Sequence, residues 1–270
     1  MLKERVITAI ILATIVLLAL LLLPSTVFAV LALIIIVGLG SWEWAALVGY
    51  RFMPQRLLAM LPTLVLALAL LVLQPPLLPV LVVGVGLWVV ILSLLWRYRQ
   101  HTRFYREHLW LLPILGMLVL AIAWYALSHL NAQSVGYVLY IIGLVAVADI
   151  GAYFTGKRLG KVKLAPELSP GKTREGAYGA LVLGSVWAIG GALVFQLSMG
   201  QSLAFVLLSL VVVVMSIAGD LFESMVKREA GVKDSGQILP GHGGILDRID
   251  GLLAALPIFT LGLWWIVAGA

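Results

Sequence analysis

The sequence predicts an all-α polytopic membrane protein with about nine transmembrane helices, its N-terminus cytoplasmic and its C-terminus outside. Three observations carry that expectation. Of 270 residues 63% are hydrophobic and the mean hydropathy is +1.12, more apolar surface than a soluble core of this size hides. Runs long enough to cross a bilayer, which takes about 20 helical residues, occur nine times. The 18 Lys and Arg gather in alternate connections between those runs.

The runs are Val6–Leu23, Thr26–Gly49, Leu57–Leu73, Leu77–Trp96, Trp110–Ser128, Val135–Phe154, Ala177–Leu197, Leu203–Met225 and Ile249–Ala268. The first follows Lys3 and Arg5, and Val27 and Ala29 lie at a cleavage-like spacing, as in a signal peptide. It is longer than the roughly 7–15 residues of a signal h-region, so a retained helix is expected.

Two Lys or Arg precede the first run, two follow the second, four the fourth, six the sixth and four the eighth. The six are Lys157, Arg158, Lys161, Lys163, Lys172 and Arg174. Connections after the first, third, fifth and seventh runs hold none, and basic residues mark cytoplasmic loops. The net charge of +6 is therefore topological, and no nucleic-acid partner is expected. Glu43, Asp149, Asp220 and Glu223 all lie toward the cytoplasmic ends of their runs. Trp42, Trp44, Trp96, Trp110, Trp124, Trp264 and Trp265 are expected as interface anchors. Gly184, Gly190 and Gly191 are expected to let helices approach closely. The basic loop Arg97–His108 is a stop-transfer loop or a contact for anionic headgroups.

Ionisable residues inside membrane runs are costly and mark polar cavities. Three segments supply them. In DIGAYFTG, Asp149 precedes Tyr153 by four residues on one helical face, either facing a site or pairing with Lys157, Lys161 or Lys163. In SPGKTREG, Ser169, Gly171, Lys172, Thr173 and Glu175 form a turn into the seventh run, suited to a phosphate or simply capping the helix. It lacks the spacing of a P-loop. The third segment, Asp220–Asp250, holds six of the twelve acidic residues. There Asp220, Glu223 and Lys227 share a helical face, as do Asp247 and Asp250, and Gly241, His242, Gly243 and Gly244 lie between them. Hard oxygen ligands in a chain without cysteine point to Mg²⁺ rather than zinc.

The run Ser224–Asp250, SMVKREAGVKDSGQILPGHGGILDRID, closely resembles the signature of phosphatidate cytidylyltransferases, the CDP-diacylglycerol synthases: S-x-x-K-R, four residues, K-D, then P-G-H-G-G-x-x-D-R-x-D. DIGAYFTG and SPGKTREG resemble other blocks of that family, while the first five runs match only in character. Ile150 stands where members often have a hydroxyl residue, which weakens any hydroxyl ligand beside Asp149, and Arg174 stands where Trp is common, a change expected to alter headgroup contact without removing Lys172.

The resemblance implies transfer of CMP from CTP to phosphatidate with Mg²⁺, release of pyrophosphate, and a homodimer in the cell (inner) membrane whose active site faces the cytoplasm. Asp220 and Asp247 are the expected metal ligands, with Asp149, Glu223 and Asp250 as further ligands or their neighbours. A second cation is left open. Lys172, Lys227, Arg228, Lys233 and Arg248 are expected to face phosphates. Ser169, Thr173 and the loop of Gly241, His242, Gly243 and Gly244 would shape the substrate pocket. The chain is expected to be one membrane domain, with N-terminal helices over 1–130 and catalytic helices and loops over 131–270. Two other readings remain beside this one. A CTP-dependent polyprenol kinase would release CDP. A transporter would place charges near the midplane or carry a repeat, neither of which is seen here.

Overall fold

The computed structural model describes residues 2–98, 110–239, 241 and 243–268. Among them nine long helices run in order: α1 (Leu2–Leu22), α2 (Ser25–Leu47), α3 (Met53–Leu73), α4 (Leu77–Tyr98), α5 (Leu111–Gln133), α6 (Val135–Leu159), α7 (Arg174–Val194), α8 (Met199–Glu229) and α9 (Leu246–Ala268). The eight from α2 onward are long and apolar enough to cross a membrane. In α1 the apolar stretch is Ile10–Leu22. The chain is a multi-pass membrane protein. Five of the nine expected runs lie within these helices, whereas Val6–Leu23, Thr26–Gly49, Trp110–Ser128 and Ala177–Leu197 overrun theirs by one to three residues at one end. At 31 residues α8 is about 46 Å long, well over a core of about 30 Å, and its last turns carry Asp220 to Glu229 outward.

Position in the bundle depends on how much of each helix is apolar on every side. Helix α3 fully buries only Thr63 and Ala67, and the face carrying Leu57, Leu58, Leu61, Val65, Leu68 and Val72 is left for lipid. Helix α5 buries fourteen residues and packs against α2, α3, α4, α6 and α9. Helices α6 and α7 approach closely because Gly151, Gly176 and Gly179 present no side chain. A Cβ on Gly151 would lie 2.7 Å from the Gly179 carbonyl oxygen. Helices α8 and α9 meet at Gly219, which abuts the Asp250 backbone.

Three expectations change. Trp44 and Trp124 are 5% and 1% exposed, and their indole N–H groups donate to Leu112 O (2.9 Å) and Ala29 O (2.8 Å). They are core residues with internal acceptors, whereas Trp96, Trp110 and Trp265 are exposed as expected. Gly191 does pack, against the Tyr140 ring, and Gly184 against Val213, but a side chain on Gly190 would meet nothing within 4 Å. The segment before α7 is not a simple turn. Lys163–Ala165 (β1) and Ser169–Thr173 (β2) form an antiparallel two-stranded ribbon, with Lys163 opposite Thr173 and Ala165 opposite Ser169.

Candidate active site

The ribbon, the α6 C-terminal half and the middle of α8 enclose a cavity of about 460 Å³. Asp149 and Tyr153 reach it from α6, Ser169, Gly171, Lys172 and Thr173 from β2, and Asp220 from α8. Lys172 is aimed inward because β2 ends in Thr173, whose hydroxyl caps α7 by accepting from Gly176 N (3.1 Å). Glu175 ties the ribbon to the same helix start, accepting from Lys161 N and Val162 N. Inside the cavity Lys172 Nζ lies 2.6 Å from Asp220 Oδ2, and Ser224 Oγ donates to Asp220 Oδ1 (3.1 Å). The two charged side chains remain 27% and 34% exposed.

Asp149 opens onto this cavity within reach of the charges on Lys172, Asp220 and Arg248. Lys157 lies instead over the Tyr153 ring, 5.6 Å from its centroid.

One helical turn along α8 a second group of charges is closed. Lys227 Nζ lies 2.9 Å from Glu223 Oε2 and 2.6 Å from Asp247 Oδ1, with the three side chains 11%, 3% and 6% exposed. Asp247 Oδ2 accepts from Ser235 N (2.9 Å), Ser235 Oγ (3.0 Å) and Gly244 N (2.8 Å). The intervening loop folds back on itself. Leu239 N donates to Gly243 O at 2.9 Å, and Gly241 and Gly243 take positive φ of 73° and 81°, which glycine adopts without strain. His242 lies outside the described residues, as does most of the basic loop after α4.

Arg228 Nε donates to Leu168 O (3.2 Å), joining α8 to the ribbon, and Lys233 is exposed on the loop. Sequence reasoning gave no role to Glu43. It is 2% exposed on α2 and accepts from Ser235 Oγ, Ile245 N and Leu246 N. The available signal was an acid in an otherwise apolar run.

A divalent cation fits the donor chemistry. The candidate ligands are hard carboxylate oxygens, and at both Asp220 and Asp247 a lysine ammonium already stands 2.6 Å away, where positive charge is favoured. Glu223 Oε1 is buried without a hydrogen-bond partner among the described residues, within reach of the Asp250 charge. No three metal-binding side chains form a ready-made cage among the described residues. Mg²⁺ needs none, since it commonly takes one or two carboxylates and completes its shell with water and substrate phosphate.

The cytidylyltransferase family profile matches residues 3–266. The chain belongs to the cytidylyltransferase family. Its relatives include a protein of Pseudomonas aeruginosa named phosphatidate cytidylyltransferase, 41% identical over 98% of this chain and 97% of the relative. A protein of the same name from Haemophilus influenzae is 37% identical over 96% and 98%, and one from Bacillus subtilis is 43% identical over about half of each chain, 51% and 52%. The resemblance seen in Ser224–Asp250 thus extends over the chain as a cytidylyltransferase.

Proposed function

We propose that this protein is the phosphatidate cytidylyltransferase of its membrane, joining CMP from CTP to phosphatidate and releasing pyrophosphate at the cytoplasmic face. The observation that carries the reading is the Lys172–Asp220 pair inside a cavity that Asp149 and Ser169 also line, in a chain with full-length relatives of that name. The alternation of Lys and Arg among the connections supports a cytoplasmic site and N-terminus. The family resemblance supports a homodimer.

In the reaction a phosphate oxygen of the lipid attacks the α-phosphorus of CTP, and the bond from that phosphorus to the bridging oxygen of pyrophosphate breaks. Several negative phosphate oxygens crowd one volume, so charge neutralisation and positioning are the main tasks. Lys172 turns from Asp220 to phosphate, and two exposed cations add positive charge, Arg248 within electrostatic reach of Asp149 and Arg228 bonded to Leu168 O. Asp220 and Asp247, with Asp149, Glu223 and Asp250 near them, would hold Mg²⁺, which supplies Lewis-acid stabilisation of attacking and leaving oxygens. No covalent enzyme intermediate is required.

An apolar groove of about 420 Å³ adjoins the cavity and shares Leu164 and Ile217 with it. Its walls include Leu92, Leu95, Val214 and Leu221, a surface fit for the acyl chains of a lipid whose phosphate lies beside Lys172.

The test is purified protein with phosphatidate, Mg²⁺ and CTP labelled in the cytidine. A lipid-soluble cytidine product with equimolar pyrophosphate is expected. Release of CDP with phosphorylation of a lipid alcohol would replace this reading with that of a kinase.

A further inference from the structure

Glu43 precedes the loop it touches by roughly two hundred residues, yet it holds both ends of that loop. Its Oε1 accepts from Ile245 N (3.0 Å), and its Oε2 from Leu246 N (2.9 Å) and Ser235 Oγ (2.9 Å). Leu246 opens α9 and Ile245 stands immediately before it, so the carboxylate caps that helix from another helix, where negative charge is favoured. Two loop glycines make the approach possible. A Cβ on Gly236 would lie 2.5 Å from Glu43 Oε1, and one on Gly244 would collide with both Glu43 and Ser235.

The backbone of α2 is built for this. Residues Leu33–Leu39 are π-helical, and the extra residue in a wider turn rotates the C-terminal part of α2, Glu43 included, by about 100° relative to an unbroken α-helix. Trp44, buried beside Phe222 with ring centroids 5.6 Å apart, fixes the segment next to Glu43 against α8.

The contacts continue toward the candidate site. The Ser235 hydroxyl lies 2.9 Å from Glu43 and 3.0 Å from Asp247, Asp247 lies 2.6 Å from Lys227, and Lys227 lies 2.9 Å from Glu223. We propose that Glu43 is a positioning residue for nucleotidyl transfer: through Ser235 and the amides of 245 and 246 it sets where Asp247, and with it Lys227, stand. The proposal rests on the function proposed above. Glu43 itself is buried and does not line the cavity.

Glu43→Gln keeps the shape but turns an NH₂ group toward donors. A misplacement of about 1 Å costs on the order of 10²-fold in rate, so kcat should fall about 10²-fold while KM for phosphatidate stays within about twofold. The Mg²⁺ concentration for half-maximal rate should rise. Ser235→Ala breaks only the link between the two carboxylates and should lower kcat about tenfold. If both act through one chain of contacts, the double variant should be no more than about twofold slower than Glu43→Gln alone.

A folded Glu43→Gln protein with kcat within about threefold of wild type, or losses that multiply in the double variant, would overturn the proposal. Should Glu43→Gln not fold, an unchanged kcat in Ser235→Ala overturns it alone. Amide exchange read by mass spectrometry separates this from the choice of reaction. Peptides over 235–246 should exchange faster in Glu43→Gln whichever product wild type makes, and unchanged exchange there counts against the proposal.

Discussion

Lys172 and Lys227 both place an ammonium 2.6 Å from an aspartate, and their surroundings make them different devices. Asp220 is met by Lys172 and Ser224 at the wall of a cavity open to ligand. Asp247 is met by Lys227, the Ser235 amide and hydroxyl and the Gly244 amide, in a cluster almost without exposure. An ion pair bathed by solvent contributes little and exchanges partners readily. A buried pair has lost its hydration, and removing one member leaves a charge with nothing to replace the water. The same contact is therefore a movable arm in one place and a brace in the other.

The largest effect is expected at the brace. Lys227→Met leaves the buried Glu223 and Asp247 charges without their cation, a loss of about 3–5 kcal/mol. Denaturant or thermal unfolding of the detergent-solubilised protein measures it, and cytidylyl transfer should be lost as well. Lys172→Met should cost no more than about 1 kcal/mol by the same measurement. Its rate should nevertheless fall about 10²–10³-fold, the scale for removing one group that stabilises transition-state charge. Equal destabilisation by the two variants would erase the distinction between arm and brace.

That distinction was only partly legible in the sequence. The helices were, because a bilayer demands long apolar runs and the runs are separated by Pro, Gly or charge, or after the fifth run by the polar His129, Asn131, Gln133 and Ser134. So were Asp220, Glu223 and Lys227 as one helical face, since helical spacing places them there. The ribbon was not. Its strands are three and five residues long, and β2 contains Pro170 and Gly171, residue types depleted in strands. Glu43 was visible as an acid in a greasy run but had no assignable partner, because two of its partners are backbone amides and the third a loop serine, all far along the chain and without a charge to mark them. Trp44 and Trp124 were misplaced for a related reason: indole rings serve interface and core alike, and the accepting carbonyl decides which.

The smallest effect should come from the hydroxyl that meets Asp220. Ser224 Oγ donates to Asp220 Oδ1 at 3.1 Å, parallel in kind to Ser235 on Asp247. If Asp220 must be free to exchange Lys172 for a cation, one hydrogen bond to its other oxygen steers the carboxylate without fixing it. Ser224→Ala should then lower kcat by no more than about threefold, within the net worth of one hydrogen bond, and leave the unfolding midpoint almost unchanged. Ser235→Ala, which touches two carboxylates at once, should be the more damaging of the serine variants in the same assay. A Ser224→Ala loss equal to that of Ser235→Ala would mean that Asp220 is held as rigidly as Asp247, and that the exposure of the Lys172 pair does not translate into freedom to change partners.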